Sequence, residues 1–579
     1  MSIYFAGKKR TIPGAYSDIT VESQTPRGAA YPRAVAILGP SLGGEPGKAL
    51  RFSDPVRARE TLRGGNLLKA CELAWNPSPD FSGADEIVAI RTDAATASAL
   101  ALKDAAVADV IDVTSRDWGA WTKNIRMKIE NGASNATYVG VKKITIENQL
   151  KPGDYEIGDD LGKGFKMKFT EATVCAVTIT VANGNATRLQ TSAAGADALD
   201  LDLTLPAFNT LSKLVAHIDS LVKYEAVLDG PDAPSSDLDV AAAVSIQQVF
   251  GYFTRTLHGC INWLNNSQYV QAAAEAAVTV NAPANLMWTN LATGTDGSED
   301  ATSWNAAVAL LLGLPDVAYV VACCGDGSFY DSANAMTVAG VKNAFDTAGL
   351  RQRAFLGADL ATTAVADVKA KVSQARSYRS SFYAPGIKRL DENGALETLG
   401  AWASAAMAAG LTVALDKRNT LTNKYLSMPA LEADYTRAEI IDLIETGVVP
   451  LQMVPGRGCK FVQGVTTDIT STEAFFAEQS NVDIADYIVG TLETALEQKF
   501  IGKLANLDLL TGVKAAVHSF LQQATDDGLL AGDDSNPAFR AIGVTLVESV
   551  VTVSYEASVS KPGNFILQKA HFTPVRLSA

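Results

Sequence analysis

The residues most suggestive of chemistry lie in one short glycine-rich stretch, residues 36–50, AILGPSLGGEPGKAL. A P-loop cradle needs a glycine, four residues of any type and then Gly-Lys-Ser/Thr, because bare backbone N–H groups wrap the phosphates and the hydroxyl holds magnesium. Here Leu42 stands where the first glycine belongs, and Ala49 follows Lys48. Phosphate binding is therefore the losing reading. The expectation is a tight loop in which Gly39, Gly43, Gly44 and Gly47 supply positive φ between two elements. Six cysteines (Cys71, Cys175, Cys260, Cys323, Cys324, Cys459) and four histidines (His217, His258, His518, His571) are scattered, with no CxxC pair. That spacing argues against the usual zinc and thioredoxin patterns and against a triad. Asp326 and Asp331, in CCGDGSFYD, read as loop solvation and helix capping before they read as a metal cluster.

The elements that must carry these residues divide the chain. An apolar strand, residues 33–38, ends at a Gly-Pro turn; a helical segment broken at Gly64-Gly65 follows, then a buried strand in ADEIVAIRTD. Strand, helix, strand is an α/β pattern. After Asp93 the segments alternate apolar and polar residues between Asn, Gly and Asp turns, as antiparallel strands do. That region includes a helix with Leu211, Leu214, Val215, Ile218, Leu221 and Val222 on one face and Asn209 or Thr210 as cap. A continuous apolar strand at 317–323 resumes the α/β pattern, so residues 95–285 read as an insertion. Further on come a small-residue helix (ALETLGAWASAAMAAGLTVAL), a long amphipathic helix with Ile488, Leu492, Leu496 and Phe500 at repeats of four, and a helix stopped by Gly528. Two strand-like runs around a turn at Lys561-Pro562-Gly563 close the chain.

The 579 residues suffice for three or four domains. With 47% apolar and 19% charged residues, the composition is that of a soluble globular protein. A net charge of −14 argues against wrapping nucleic acid. No run of eighteen apolar residues and no signal-peptide pattern occurs, so the expected site of synthesis and assembly is the cytoplasm, with no direct membrane insertion.

Several segments, in order along the chain, resemble contractile phage tail sheath proteins. IPGAY at 12–16 is similar to the family's Pro-Gly-Val-Tyr opening, and AVAILGPSLGGEPGKALRFSD to its strand and Gly-Pro turn. TGTDGS at 293–298 resembles the Gly-Gly-Thr-Asp-Gly turn, LLLGLPDVAYVVACCGDG the Leu-Pro-Asp-Val strand, and DIADYIVGTLETALEQKFIGK the long helix that follows. GNFILQKAHFTP matches the closing hairpin. The chain departs from the family where PGRGCKFVQGVTTD stands in place of Trp-Gly-Ala-Arg-Thr, which marks a divergent branch of the myophage sheaths.

The resemblance implies a multidomain α/β (α+β) fold. Its core α/β sandwich is built from N- and C-terminal parts, with an inserted antiparallel β domain and extended terminal arms. The expected division is an N-terminal arm (1–20), first part of the core (21–94), outward-facing β-rich insertion (95–285), second α/β part (286–394), C-terminal core domain (395–555) and C-terminal arm (556–579). The implied function is that of a structural subunit, not an enzyme and without cofactors. It polymerises with copies of itself around a tail tube, contracts to drive the tube through a host envelope, and resides in the virion. Baseplate and tail-terminator proteins are the other implied partners. Arms that add strands to a neighbour's sheet place inter-subunit contacts at Ile12, Pro13, Gly14, Tyr16, Phe565, Ile566 and Leu567. The polar edge of the long helix (Glu493, Glu497, Lys499, Lys503) is a candidate tube-facing surface, beside the plainer reading of core packing. The six cysteines are candidates for cross-links between subunits, beside the plainer reading of buried thiols. Two alternatives remain: the sheath of a bacteriocin or secretion apparatus, and an α/β enzyme binding a nucleotide or sugar at the carboxyl ends of its strands.

Overall fold

The computed structural model describes residues 3–5, 8–10 and 33–564 apart from 183, 194, 276–280, 361, 392, 470–473, 505 and 549. Eight strands form the central sheet: β1 (Ala34–Gly39), β2 (Ala49–Phe52), β3 (Ile87–Arg91), β4 (Val317–Ala322), β5 (Arg353–Gly357), β6 (Ser380–Ala384), β7 (Val448–Val454) and β8 (Gly458–Phe461). Their spatial order is β8-β7-β6-β5-β4-β1-β3-β2. The inner six run parallel, and β2 and β8 close the two edges antiparallel. Every residue of β1, β3, β4, β5 and β6 is buried, as continuous apolar runs covered on both faces must be.

Helix α1 (Pro55–Leu62) starts where Asp54 accepts from the Val56 N–H at 3.0 Å, with proline in its first turn. Gly64 and Gly65 separate it from α2 (Gly65–Trp75). Succession β1–α2–β3 moves one way from the sheet centre, while β4, α3 (Tyr330–Ala348) and β5 move the other way. Right-handed crossovers then put α2 and α3 on opposite faces. The small-residue helix is α4 (Trp402–Ala414), buried from Trp402 to Thr412 and packed on α2. Its composition has a local cause: a Cβ at Gly410 would lie 2.0 Å from the Ala74 carbonyl oxygen. Only a glycine lets the two helices approach so closely.

Two further cores lie within the segment between β3 and β4. One gathers strands from Ala97–Lys103 to Tyr155–Leu161 with helix Thr256–Leu264; the other gathers strands from Lys163–Phe169 to Gly251–Thr254 with helix Leu211–Asp219. The second is nested in the first, closed where the Arg255 N–H donates to the Gly162 carbonyl at 2.8 Å. Strand Leu286–Asn290, past residue 285, pairs with Ile125–Asn131. Thr210 caps helix Leu211–Asp219, whose Leu211, Leu214, Val215 and Ile218 are buried. Val222 is a correction to the expected face: the helix stops at Asp219, so its register does not reach Val222, which is 98% exposed.

The C-terminal core is formed by α5 (Gln479–Phe500), α6 (Leu507–Asp526) and a hairpin of β9 (Phe539–Val547) and β10 (Val550–Ala557). A hairpin forms within the first of the two expected terminal runs, with Val547 pairing with Val550; the second run, from residue 565 on, lies outside the described residues, so the turn expected at Lys561-Pro562-Gly563 is not tested. Helix α4 and strands β7 and β8 pack in the same core as β1, while this C-terminal core is separate. At the other terminus Ile3–Phe5 pairs with Lys8–Arg10. Among the described residues no helix is long and apolar enough to cross a membrane.

Candidate functional site

The strand order reverses between β1 and β4. Doubly wound sheets bind ligands at that reversal, outside the carboxyl ends of the strands. Here the chain fills it with its own Glu299. One carboxylate oxygen accepts from the Gly325 and Asp326 N–H groups at 2.6 and 3.2 Å, and the other from the Thr92 hydroxyl at 2.8 Å. Burial pushes this carboxyl above the usual range. The crevice that a nucleotide- or sugar-binding enzyme would use is thus occupied by a side chain of the returning insertion. Asp326 closes its own turn by accepting from the Ser328 N–H and hydroxyl at 2.8 and 2.7 Å, and Asp331 pairs with Lys371 at 2.7 Å. Among the described residues no group of three or more His, Cys, Asp or Glu is arranged for a metal ion.

The glycine loop serves the same joint. Gly44 and Gly47 have φ of 87° and 64°, while Gly39 is needed for space: a Cβ there would sit 2.2 Å from Cys323 Sγ. The Gly44 N–H donates to Asp117 Oδ1 at 2.7 Å, and its carbonyl accepts from Arg91 at 3.0 Å. Arg91, fully buried, also grips Asp93 through two bonds of 2.8 and 2.6 Å. Arg63 bonds Asp117 at 3.2 Å and lies 3.4 Å over the Trp121 ring. Asp296 accepts from the Ala120 N–H at 2.8 Å. A loop that looks built for phosphate thus fastens the root of the insertion to the core.

A second joint fastens α5. Asp483 and Asp486, one helical turn apart, point into the core from its first two turns. Arg353, at the start of β5, meets Asp483 at 2.8 Å and the Gln479 carbonyl at 3.0 Å. Arg379, just before β6, holds Asp486 with bonds of 3.0 and 3.1 Å and stacks 3.6 Å over Phe345. Tyr319 of β4 donates to Asp483 at 3.0 Å, and Lys417 to Tyr319 at 3.2 Å. Burial lowers the Lys417 ammonium and raises the Asp486 carboxyl from their ordinary values. For Arg353 burial acts downward, but Asp483 outweighs it and the guanidinium stays firmly charged. Sequence reasoning missed this lattice, although arginines abutting buried apolar runs (RQRAFLG, RSYRSSFYA) and an Asp pair at i, i+3 in DIAD signalled it.

The expected tube-facing residues fall at the far end of α5. Glu493 is exposed and pairs with Arg351 at 2.7 Å; Glu497 and Lys499 are exposed; Lys503 lies past the helix end. Lys499 and Lys503 each sit 5.6 Å from the Phe500 ring. Beside them Ile501, Leu504 and Leu507 are 78%, 90% and 78% exposed. The inner face of the hairpin packs on α6, and among the described residues neither β9 nor β10 has a second strand beside it. The expected arm residues Ile12, Pro13, Gly14, Tyr16, Phe565, Ile566 and Leu567 lie outside the described residues. All six cysteines are buried, and within the chain none is paired in a disulfide. Burial raises every one of these thiols, Cys459 to about 11 and Cys260 to about 12.

This multidomain arrangement, a doubly wound core with nested β units between β3 and β4 and a closing helical unit, is shared with crystal structures of two sheath tail proteins. The crystal structure of the sheath tail protein of Desulfitobacterium hafniense superimposes with a TM-score of 0.54 at 15% identity, covering 94% of this chain and 100% of that one. That of Listeria innocua gives 0.53 at 12% identity, covering 92% and 94%. No family model matches the chain. Along nearly its whole length the chain is similar to phage tail sheath proteins. It is 26% identical over 590 aligned residues to the tail sheath protein of Bacillus phage SP01, spanning 99% of this chain and 97% of that one. It is 25% identical over 559 to that of Staphylococcus phage Twort, spanning 90% and 91%.

Proposed function

We propose that the protein is the structural subunit of a contractile tail sheath, which polymerises around the tail tube and shortens to drive the tube through the host envelope. The observation that carries this reading is similarity to phage tail sheath proteins along nearly the whole chain, insertion and C-terminal unit included. The role is mechanical rather than enzymatic, in keeping with a switch point closed by Glu299. Partners are further copies of the chain, the tube protein, and baseplate and terminator proteins, with assembly in the host cytoplasm. In the assembly, residues 1–20 and 556–579 act as arms, 95–285 faces outward, and the core comes from 21–94, 286–394 and 395–555. The edges of β9 and β10, which have no strand beside them among the described residues, suit strand addition by a neighbour's arm.

Negative-stain electron microscopy of the purified protein, alone and mixed with its tube protein, tests the reading. Striated cylinders or wide hollow tubes are expected; small closed oligomers under all salt conditions would overturn it. Deleting residues 1–20 should abolish cylinders while leaving a folded monomer. Charge reversal of Glu497 and Lys503 should weaken assembly on tubes, and unchanged assembly would remove that edge from the tube contact.

A further inference from the structure

A small cavity lies at the amino-terminal turn of α5. Its volume is about 20 Å³, and its lining includes Lys417, Asn419, Thr420, Gln479, Ser480 and Asp483. That is room for one water-sized particle. Three features give the cavity a sign. It sits at the positive end of a 22-residue helix whose N-cap, Glu478, makes no side-chain capping bond. The Lys417 ammonium lines it, and the two carboxylates of the lining, Asp416 and Asp483, are ion-paired with Arg418 and Arg353. The Ser480 side chain is 92% buried, from its 8% relative exposure, and its hydroxyl has no partner. A buried hydroxyl without a partner costs free energy unless something accepts its proton.

We propose that this cavity binds one monatomic anion, chloride in solution, held by the Lys417 ammonium, the Ser480 hydroxyl and the amino-terminal turn of α5. The two carboxylates on the lining have partners of their own. Asp483 is already engaged by Arg353 and Tyr319, and Asp416 by Arg418 at 2.7 Å. The ion clamps α5 to the core, so halide concentration tunes the rigidity of that joint.

Chloride-35 magnetic resonance on the full-length protein tests this directly. The expected result is a saturable excess linewidth that bromide displaces, with affinity falling about tenfold in Ser480→Ala, the loss of one charge-assisted hydrogen bond, and further in Lys417→Met. In parallel, the thermal midpoint of the wild type should rise by a few degrees in chloride over gluconate at equal ionic strength. That second measurement stands even if a variant fails to fold. No excess linewidth in the wild type, or an excess that survives both substitutions, would overturn the proposal and leave the cavity to water. So would equal midpoints in the two salts.

Discussion

Arg379 and Asp486 face each other in a buried, two-bonded pair, 3.0 and 3.1 Å, between the start of β6 and the second turn of α5. Removing one partner strands the other. Asp486→Ala should destabilise the protein by about 3–5 kcal/mol, since it leaves an uncompensated guanidinium in the interior. Replacing both by apolar residues of similar volume should recover most of that loss. Urea unfolding of the single and double variants checks this, and equal instability of the two would show that the pair contributes through packing alone.

Gly39 and Cys323 form a tight contact between β1 and the end of β4. Gly39→Ala should cost about 1–3 kcal/mol through overpacking. The double variant with Cys323→Ala should be closer to wild type than the sum of the single effects, because the two sites share one space. Thermal unfolding of the four proteins gives the coupling, and strict additivity would contradict the contact.

Loss of the Glu299 carboxylate leaves the Gly325 and Asp326 amides without their acceptor. Glu299→Ala should cost about 1–3 kcal/mol and loosen the root of the insertion. Hydrogen exchange is the suitable measurement: faster exchange is expected at residues 93–99, 117–122 and 325–326, with β5 and β6 unchanged.

Asp160 gives the insertion a defined acid sensitivity. Burial acts to raise its carboxyl, but Lys163 at 2.8 Å and the Ser134 hydroxyl and N–H outweigh that and bring it down to about 2. A folded value below the unfolded 3.8 means the unfolded chain takes up the proton first. Its stabilisation is therefore full above the ordinary aspartate range and is lost as pH falls towards about 2. Asp160→Asn should be less stable than wild type at pH 6 and match it near pH 2 in denaturant titrations.

The thiols should be silent in the native protein. Aromatic disulfide reagents should label none of the six described cysteines until denaturant is added, and gels with and without reductant should show the same mobility. A reductant-sensitive dimer would require a cysteine to leave its core.

Periodicity made much of this fold legible. The apolar runs at β1, β3 and β4, the Gly64-Gly65 break and the helix ended by Gly528 all follow from local rules that tertiary packing did not override. The hairpin of β9 and β10 was not legible because no proline or glycine marks its turn, although the backbone at Glu548 adopts a left-handed φ of 54°. The joints were least legible. Arg91 and Glu299 are about 200 positions apart, and only the pairing of the outgoing and returning chains, Asp93 with Glu299 and Thr96 with Thr295, brings them together.

That pairing has an architectural consequence. The chain leaves the core and comes back along adjacent, antiparallel paths, and inside that loop it repeats the arrangement at Gly162 and Arg255. The two inserted units are bracketed like clauses in a sentence, each opening and closing at a single point. Such a clause can be lengthened, exchanged or struck out while the sentence around it still parses, because each unit meets the rest of the chain at one pair of adjacent strands rather than through the central sheet.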